Sequence, residues 1–296
     1  MELLTFFKNG ETRLGVKIDQ TIIDVKAAAA VKSQEDIPTD VMSVIQGGQE
    51  KVYQLMTFIQ ELDLNDSDYV LNEHHLEWGP CVTNPGKIIC VGLNYRKHAD
   101  ETNAPYPDVP ILFSKFNNTL TGHKKDIAVP KITNKLDYEV ELAIVIGKRA
   151  KYISKENALD YVFGYCVGND LSARDLQLRT NQWLLGKTCD DFCPLGPYLI
   201  TADVVGNPNN LSLKTTVNGE VRQNSNTSDM IFYCDELVSY ISHHMTLTPG
   251  DIILTRNPAG VVLGLPENKR VYLKPGDVVT VEIEKLGKLT NKFVEE

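Results

Sequence analysis

Nowhere in the 296 residues do about 20 apolar side chains run together, so no membrane-spanning helix is expected. The opening stretch, "MELLTFFKNGETRLG", lacks a basic segment followed by a long apolar run, which argues against a secretory leader and for a cytoplasmic protein. No basic patch with interleaved aromatics occurs, and the formal net charge is −9, so neither nucleic acid nor an anionic membrane is an expected partner. The cysteines are few and scattered: Cys81, Cys90, Cys166, Cys189, Cys193 and Cys234. They form no disulfide framework, and Cys189 and Cys193 have no second pair with which to build a zinc site. There are no internal repeats, and low complexity is confined to the alanines at 27–30.

What is present is the composition of an ordinary globular chain, 42% hydrophobic and 23% charged, long enough for one large domain or a large and a small one. Asn9-Gly10 between apolar runs signals a hairpin, and "TIIDV" adds a third strand. Helical spacing follows at 41–45 and 52–62, separated by Gly47-Gly48. Pro80, Pro85 and Gly86 mark a boundary, which predicts a small accessory domain over 1–80 and a larger domain over 81–296. Many short strands follow, with a further Asn218-Gly219 hairpin. Two helices are expected, "SKENALDYV" capped by Ser154 and "CDELVSYISHHM" capped by Asp235. This pattern predicts an α+β, β-rich sandwich or roll rather than a doubly wound parallel sheet.

The segment "LDYEVELAIVIG", residues 136–147, is less ordinary. As a strand it puts Tyr138, Val140, Leu142 and Ile144 on one face, an apolar set. The other face begins with Asp137, Glu139 and Glu141 and turns apolar at Ala143 and Val145. Neighbouring carboxylates repel one another, so either positive charge gathers there or the acids hang in water at a strand end. In "GYCVGNDLSARDLQ" an apolar strand runs into Asp170, which is placed to join them or to cap a helix. Three carboxylates from two strand ends suit a hard divalent cation that keeps sites open for a chelating substrate. His98 and Glu101 in "VGLNYRKHADE" stand three apart, the helical spacing at which a carboxylate fixes the imidazole tautomer and raises its basicity. Lys187 follows Gly186 in "LLGKTCDDFCPLGPYL", a loop lysine that means little alone.

Taken in order, "VGLNYRKHADE", "LDYEVELAIVIGK", "FGYCVGNDLSARDLQ", "GKTCDDFCPLGPYL", "VNGEVRQNSNTSDMIF" and "LTPGDIILT" resemble the fumarylacetoacetate hydrolase family from about Lys87 to the end of the chain. The resemblance implies a mixed β-sandwich roll with a small N-terminal α/β accessory domain, usually built into a homodimer. It also implies that Glu139, Glu141 and Asp170 ligate Mg2+ or Mn2+, with Asp137 outside the ligand set. On the same ground His98 and Glu101 match a water-activating pair, and Lys187 matches a lysine that steadies a developing enolate. Lys115, Arg174, Gln177 and Thr255 fall where substrate contacts are expected. One departure stands in "LTRNPAGVV": Arg256 occupies a turn position where the family commonly has glycine. The implied activity is metal-dependent C–C bond cleavage of small 2-oxo or 2,4-dioxo acids, by acylpyruvate hydrolysis or oxaloacetate decarboxylation. An isomerase or decarboxylase of a muconate-type diacid, or a non-catalytic ligand-binding relative, is the alternative.

Overall fold

A computed structural model describes residues 1–296. Its largest sheet runs, in spatial order, through Val70–Asn72, Thr21–Asp24, Glu11–Ile18, Glu2–Lys8, Cys193–Thr201, Val162–Asn169, Val140–Ile146, Ile252–Leu254, Ile88–Gly92 and Ile111–Lys115. A second sheet orders Glu220–Asn226, Ser212–Val217, Val278–Ile283, Gly287–Glu295 and Asp126–Val129. The result is the expected α+β, strand-rich architecture. No helix is long and apolar enough to cross a membrane.

The alternation in 136–147 is used on both sides. Tyr138, Val140, Leu142 and Ile144 join Leu213, Val281, Leu289 and Phe293 in the core between the two sheets. Ala143 and Val145 face the opposite way and pack with Val44, Leu55 and Phe58 of the helical element Val41–Gln60. Covering both faces explains why Val140–Ile146 is buried throughout.

Both Asn-Gly hairpins form, with Asn9 and Gly10 at φ 55° and 77° and Asn218 and Gly219 at 51° and 84°. The helical pieces at 41–45 and 52–62 both form, as two helices within Val41–Gln60 that meet at Gly48, whose φ 60° and ψ −147° are not helical. Residues 155–161 form a 3-10 helix, not an α-helix: Ser154 makes no side-chain cap bond, and only Ala158 is buried. The later helix, Cys234–His244, begins after Tyr233, so Asp235 lies in its first turn instead of capping it. The segment 1–80, proposed as an accessory domain, is built onto the main sheet, since Leu3 pairs with Leu199 across adjacent antiparallel strands.

Candidate metal and active site

The acids stand where two ladders meet. Leu136–Asp137 pairs with Ser172–Ala173, Val140–Ile146 pairs with Val162–Asn169, and Tyr138 and Glu139 fall between. Side chains supply the missing backbone partners. Asn169 Oδ1 accepts from the Glu139 amide at 3.0 Å, and Gln223 Oε1 accepts from the Val140 amide at 3.1 Å. The Asp170 amide donates to the Glu139 carbonyl at 2.9 Å, which sets the two acids side by side. Ligand-type oxygens of Glu139, Glu141 and Asp170 all lie within 4.8 Å of one another, and the three side chains are fully buried.

Positive charge does gather here. Arg174 Nη2 donates to Glu139 Oε1 at 2.7 Å and Lys187 Nζ to Glu139 Oε2 at 2.8 Å. Lys187 also reaches Asp170 Oδ2 at 2.5 Å, while Lys115 donates to Asp170 Oδ1 at 2.5 Å and to the Leu171 carbonyl at 3.2 Å. Asp137 accepts from Arg174 Nε at 2.8 Å and from the amides of Tyr138, Val262 and Leu263. With four donors already on it, Asp137 is an anchor for Arg174 and the 262–263 backbone.

Two features fit a hard divalent cation. The donor set is entirely carboxylate oxygen, and Glu141 Oε1 is buried without any hydrogen-bond partner, an arrangement native proteins seldom leave. Burial, then the charges of Asp170 and Glu139, hold the Glu141 carboxyl well above its ordinary range. Burial also pushes Glu139 upward, but Arg256, Lys187 and Arg174 together outweigh it and keep Glu139 ionised. A raised value means that Glu141 keeps its proton until a cation displaces it. Cation binding is therefore expected to release a proton wherever Glu141 holds one and to weaken as pH falls. Calorimetry in two buffers of different ionisation enthalpy measures this, and identical heats in both would contradict it.

The short helix Arg96–Glu101 places His98 Nδ1 3.2 Å from Glu101 Oε2. His98 Nε2 lies 3.1 Å from Arg256 Nη2. Because a guanidinium only donates, Nε2 is the acceptor and the ring proton sits on Nδ1, facing Glu101. Burial lowers the His98 pKa, the Glu101 contact opposes it, and Arg256 adds to the lowering. Glu101 also accepts from the Gly260 amide at 3.2 Å. A Cβ at Gly264 would stand 2.4 Å from a Glu101 carboxylate oxygen, so any side chain there displaces the pair.

The structure thus brings His98, Glu101, Lys115, Glu139, Glu141, Asp170, Arg174 and Lys187 into one connected cluster. Gln177 lies behind Arg174 and accepts from its Nη1 at 2.9 Å. Thr255 donates to the Leu142 carbonyl through both its amide and its hydroxyl, at 3.1 and 3.0 Å. Three organising residues escaped the sequence reading. Asn169 and Gln223 lock the strand junction, and Asn94 bonds the carbonyls of Phe232 and Thr255, each at 3.0 Å. Asn94 and Gln223 sit inside quoted motifs, but nothing local distinguishes them from other polar residues. A cleft of about 590 Å³ lined by Phe113, Lys115, Trp183 and Leu184 opens beside the cluster. Its Phe113 ring centroid is 5.1 Å from Lys187 Nζ.

Comparison with known proteins gives the family and the fold. The family model described as Fumarylacetoacetate (FAA) hydrolase C-terminal matches residues 87–294. A mitochondrial oxaloacetate tautomerase of Bos taurus is 51% identical over 215 residues, which is 72% of this chain and 68% of the relative. Among solved structures, a fumarylacetoacetate hydrolase from Exiguobacterium antarcticum superposes with a TM-score of 0.84 at 34% identity, covering all of both chains. A fumarylpyruvate hydrolase from Pseudomonas aeruginosa, in complex with Mn2+ and pyruvate, gives 0.66 at 34% identity over 72% of this chain and 91% of its own.

Proposed function

The chain belongs to the fumarylacetoacetate hydrolase family of enzymes, and on that premise we propose that it acts on small 2-oxo acids by moving a proton at the carbon next to the 2-oxo group. The observation that supports this reading is the junction of three buried carboxylates with a neutral, carboxylate-backed imidazole through a single intervening side chain, Arg256. Relatives named oxaloacetate tautomerases support keto–enol interconversion of such acids as the first reading.

Glu139, Glu141 and Asp170 would hold the Mg2+ or Mn2+ ion. When bound, the ion supplies a Lewis acid that polarises the 2-oxo group and makes the neighbouring C–H more acidic. His98 Nε2 takes that proton, the C–H electron pair becomes the C2=C3 bond, and the 2-oxygen carries the charge until the imidazolium gives the proton up to it and returns to neutral. Glu101 holds the imidazole tautomer and stabilises the imidazolium that forms. Lys187 Nζ, beside Glu139 and Asp170, supports the oxygen's developing charge. Arg174, Gln177, Lys115 and Thr255 keep their place as candidate substrate contacts in this reading, and each also positions the site: Arg174 engages Asp137 and Glu139, Gln177 accepts from Arg174, Lys115 engages Asp170, and Thr255 anchors the turn that carries Arg256.

Carbon–carbon cleavage is the second reading, favoured by the structural likeness to the fumarylpyruvate hydrolase bound to Mn2+ and pyruvate. Here His98 takes a proton from water that attacks the distal carbonyl of a 2,4-dioxo acid. The electron pair of the breaking bond passes to the carbon next to the 2-oxo group. Turnover of oxaloacetate and of an acylpyruvate, side by side with Mg2+ and Mn2+, separates the two. A homodimer in the cytoplasm remains part of the proposal.

His98→Ala is expected to bind the cation as the native protein does while losing about 10²–10⁴-fold in turnover, the usual contribution of a general base. In the native enzyme the acid limb of the rate profile should fall below pH 6.5, because burial depresses the imidazole. Loss of cation binding in His98→Ala, measured by calorimetry, would place His98 among the ligands instead.

A further inference from the structure

We propose that Arg256 is the residue that reads the far carboxylate of a 2-oxo dicarboxylic acid substrate, and that this contact couples substrate binding to cation binding. The inference rests on the functional reading above and names a specificity-determining residue of the same site.

Arg256 is held at φ 85°, a left-handed conformation that a side chain with a Cβ adopts only under constraint. The constraint is visible: Thr255 is tied twice to the Leu142 carbonyl, and the Arg256 amide donates to Glu141 Oε2 at 2.9 Å. The strained backbone aims the guanidinium inward, where only 7% of the residue is exposed. Nη2 meets His98 Nε2, and Nη1 lies 3.6 Å from Glu139 Oε2. Nε and Nη1 have no hydrogen-bond partner although both are buried. Nε, and Nη1 beyond its long approach to Glu139, leave two hydrogen-bond donors unfilled on a permanent cation between the base and a candidate metal ligand, and an anionic oxygen pair matches them.

Charge makes the same case. A divalent cation on Glu139 would face a guanidinium close to the same oxygen, and the two repel. A substrate carboxylate lying against Arg256 neutralises one partner of that clash. Cation and dianionic substrate then strengthen each other's binding, as linkage requires. The same contact draws the guanidinium from His98 Nε2 and leaves that nitrogen open to accept a proton.

Malate and lactate form a stable matched pair, alike at the chelating end and differing by one carboxylate. Titrated into the Mg2+-loaded protein, malate should bind about 10–100-fold more tightly than lactate, the range for hydrogen bonds to charged groups. Arg256→Gly, which suits the backbone angle but takes a buried cation from beside Glu139, should lose most of that preference while lactate affinity stays within about 3-fold, with circular dichroism confirming that it is folded at the titration temperature. Arg256→Lys should recover part of it. Malate should raise Mg2+ affinity in the native protein and not in Arg256→Gly. Equal weakening of malate and lactate, or an unchanged preference, overturns the proposal. A native protein that binds no Mg2+ or Mn2+ overturns the functional reading as well, whereas one that binds the ion without preferring malate overturns this inference alone.

Discussion

Glu139→Gln should abolish cation binding and reduce turnover at least about 10³-fold while leaving the protein folded. The size follows from the Lewis-acid contribution of a bound metal, several kcal/mol of transition-state stabilisation at 1.36 kcal/mol per tenfold. The survival of the fold follows from the partners that remain. Arg174 keeps Asp137, and Lys187 keeps Asp170. Glutamine also preserves the volume and can still accept from one of the two cations. Mn2+ titration followed by its paramagnetic resonance reads binding directly, and circular dichroism reads folding. Native-level activity in this variant, or in protein stripped of divalent ions by a chelator, would remove the basis for the mechanism.

Arg174→Ala should produce the largest loss of stability, about 3–5 kcal/mol, the cost of removing one partner from a buried ion pair. Arg174 is the largest fully buried side chain, and its three nitrogens reach Asp137, Gln177 and Glu139 separately. Truncation leaves Glu139 with fewer positive neighbours, a void where the guanidinium lay, and Gln177 without its donor. Arg174→Lys should recover only part of the loss, because one ammonium cannot replace a rigid fork with three separate acceptors. Urea unfolding monitored by tryptophan fluorescence gives the difference. A midpoint shift worth less than about 1 kcal/mol in the alanine variant would show that the ion pairs are not what holds this junction, since surface pairs contribute on that smaller scale.

The parts of this protein that could be read from its sequence are those decided within a few residues. The Asn-Gly hairpins, the alternation in 136–147 and the three-residue spacing of His98 and Glu101 are local facts, and each appears as expected. The environment of those residues is non-local. That Glu139 is fully buried depends on Arg174, Lys187 and Arg256, which approach from 35, 48 and 117 positions away. Spacing left two outcomes open, gathered positive charge or solvated acids, whereas only the fold shows that a fully buried Arg174 supplies that charge. Asn94, Asn169 and Gln223 were illegible for the same reason: each bonds backbone groups of a strand or turn remote from itself. The 3-10 geometry at 155–161 had no local signal that set it apart from an α-helix.

The pairing of Leu3 with Leu199 joins positions 196 residues apart. At a synthesis rate of about 5–20 residues per second, the first strand leaves the ribosome roughly 10–40 s before its eventual neighbour exists. During that interval the Glu2–Lys8 and Glu11–Ile18 hairpin has only itself and the segment immediately following to shelter its leucines and phenylalanines. Its tight Asn-Gly turn closes fast, and Glu11, Arg13, Lys8 and Lys17 supply charges that discourage pairing with a neighbouring nascent chain. The opening hairpin, marginal on its own, therefore gains the neighbour that completes its sheet only after residue 199 has been made.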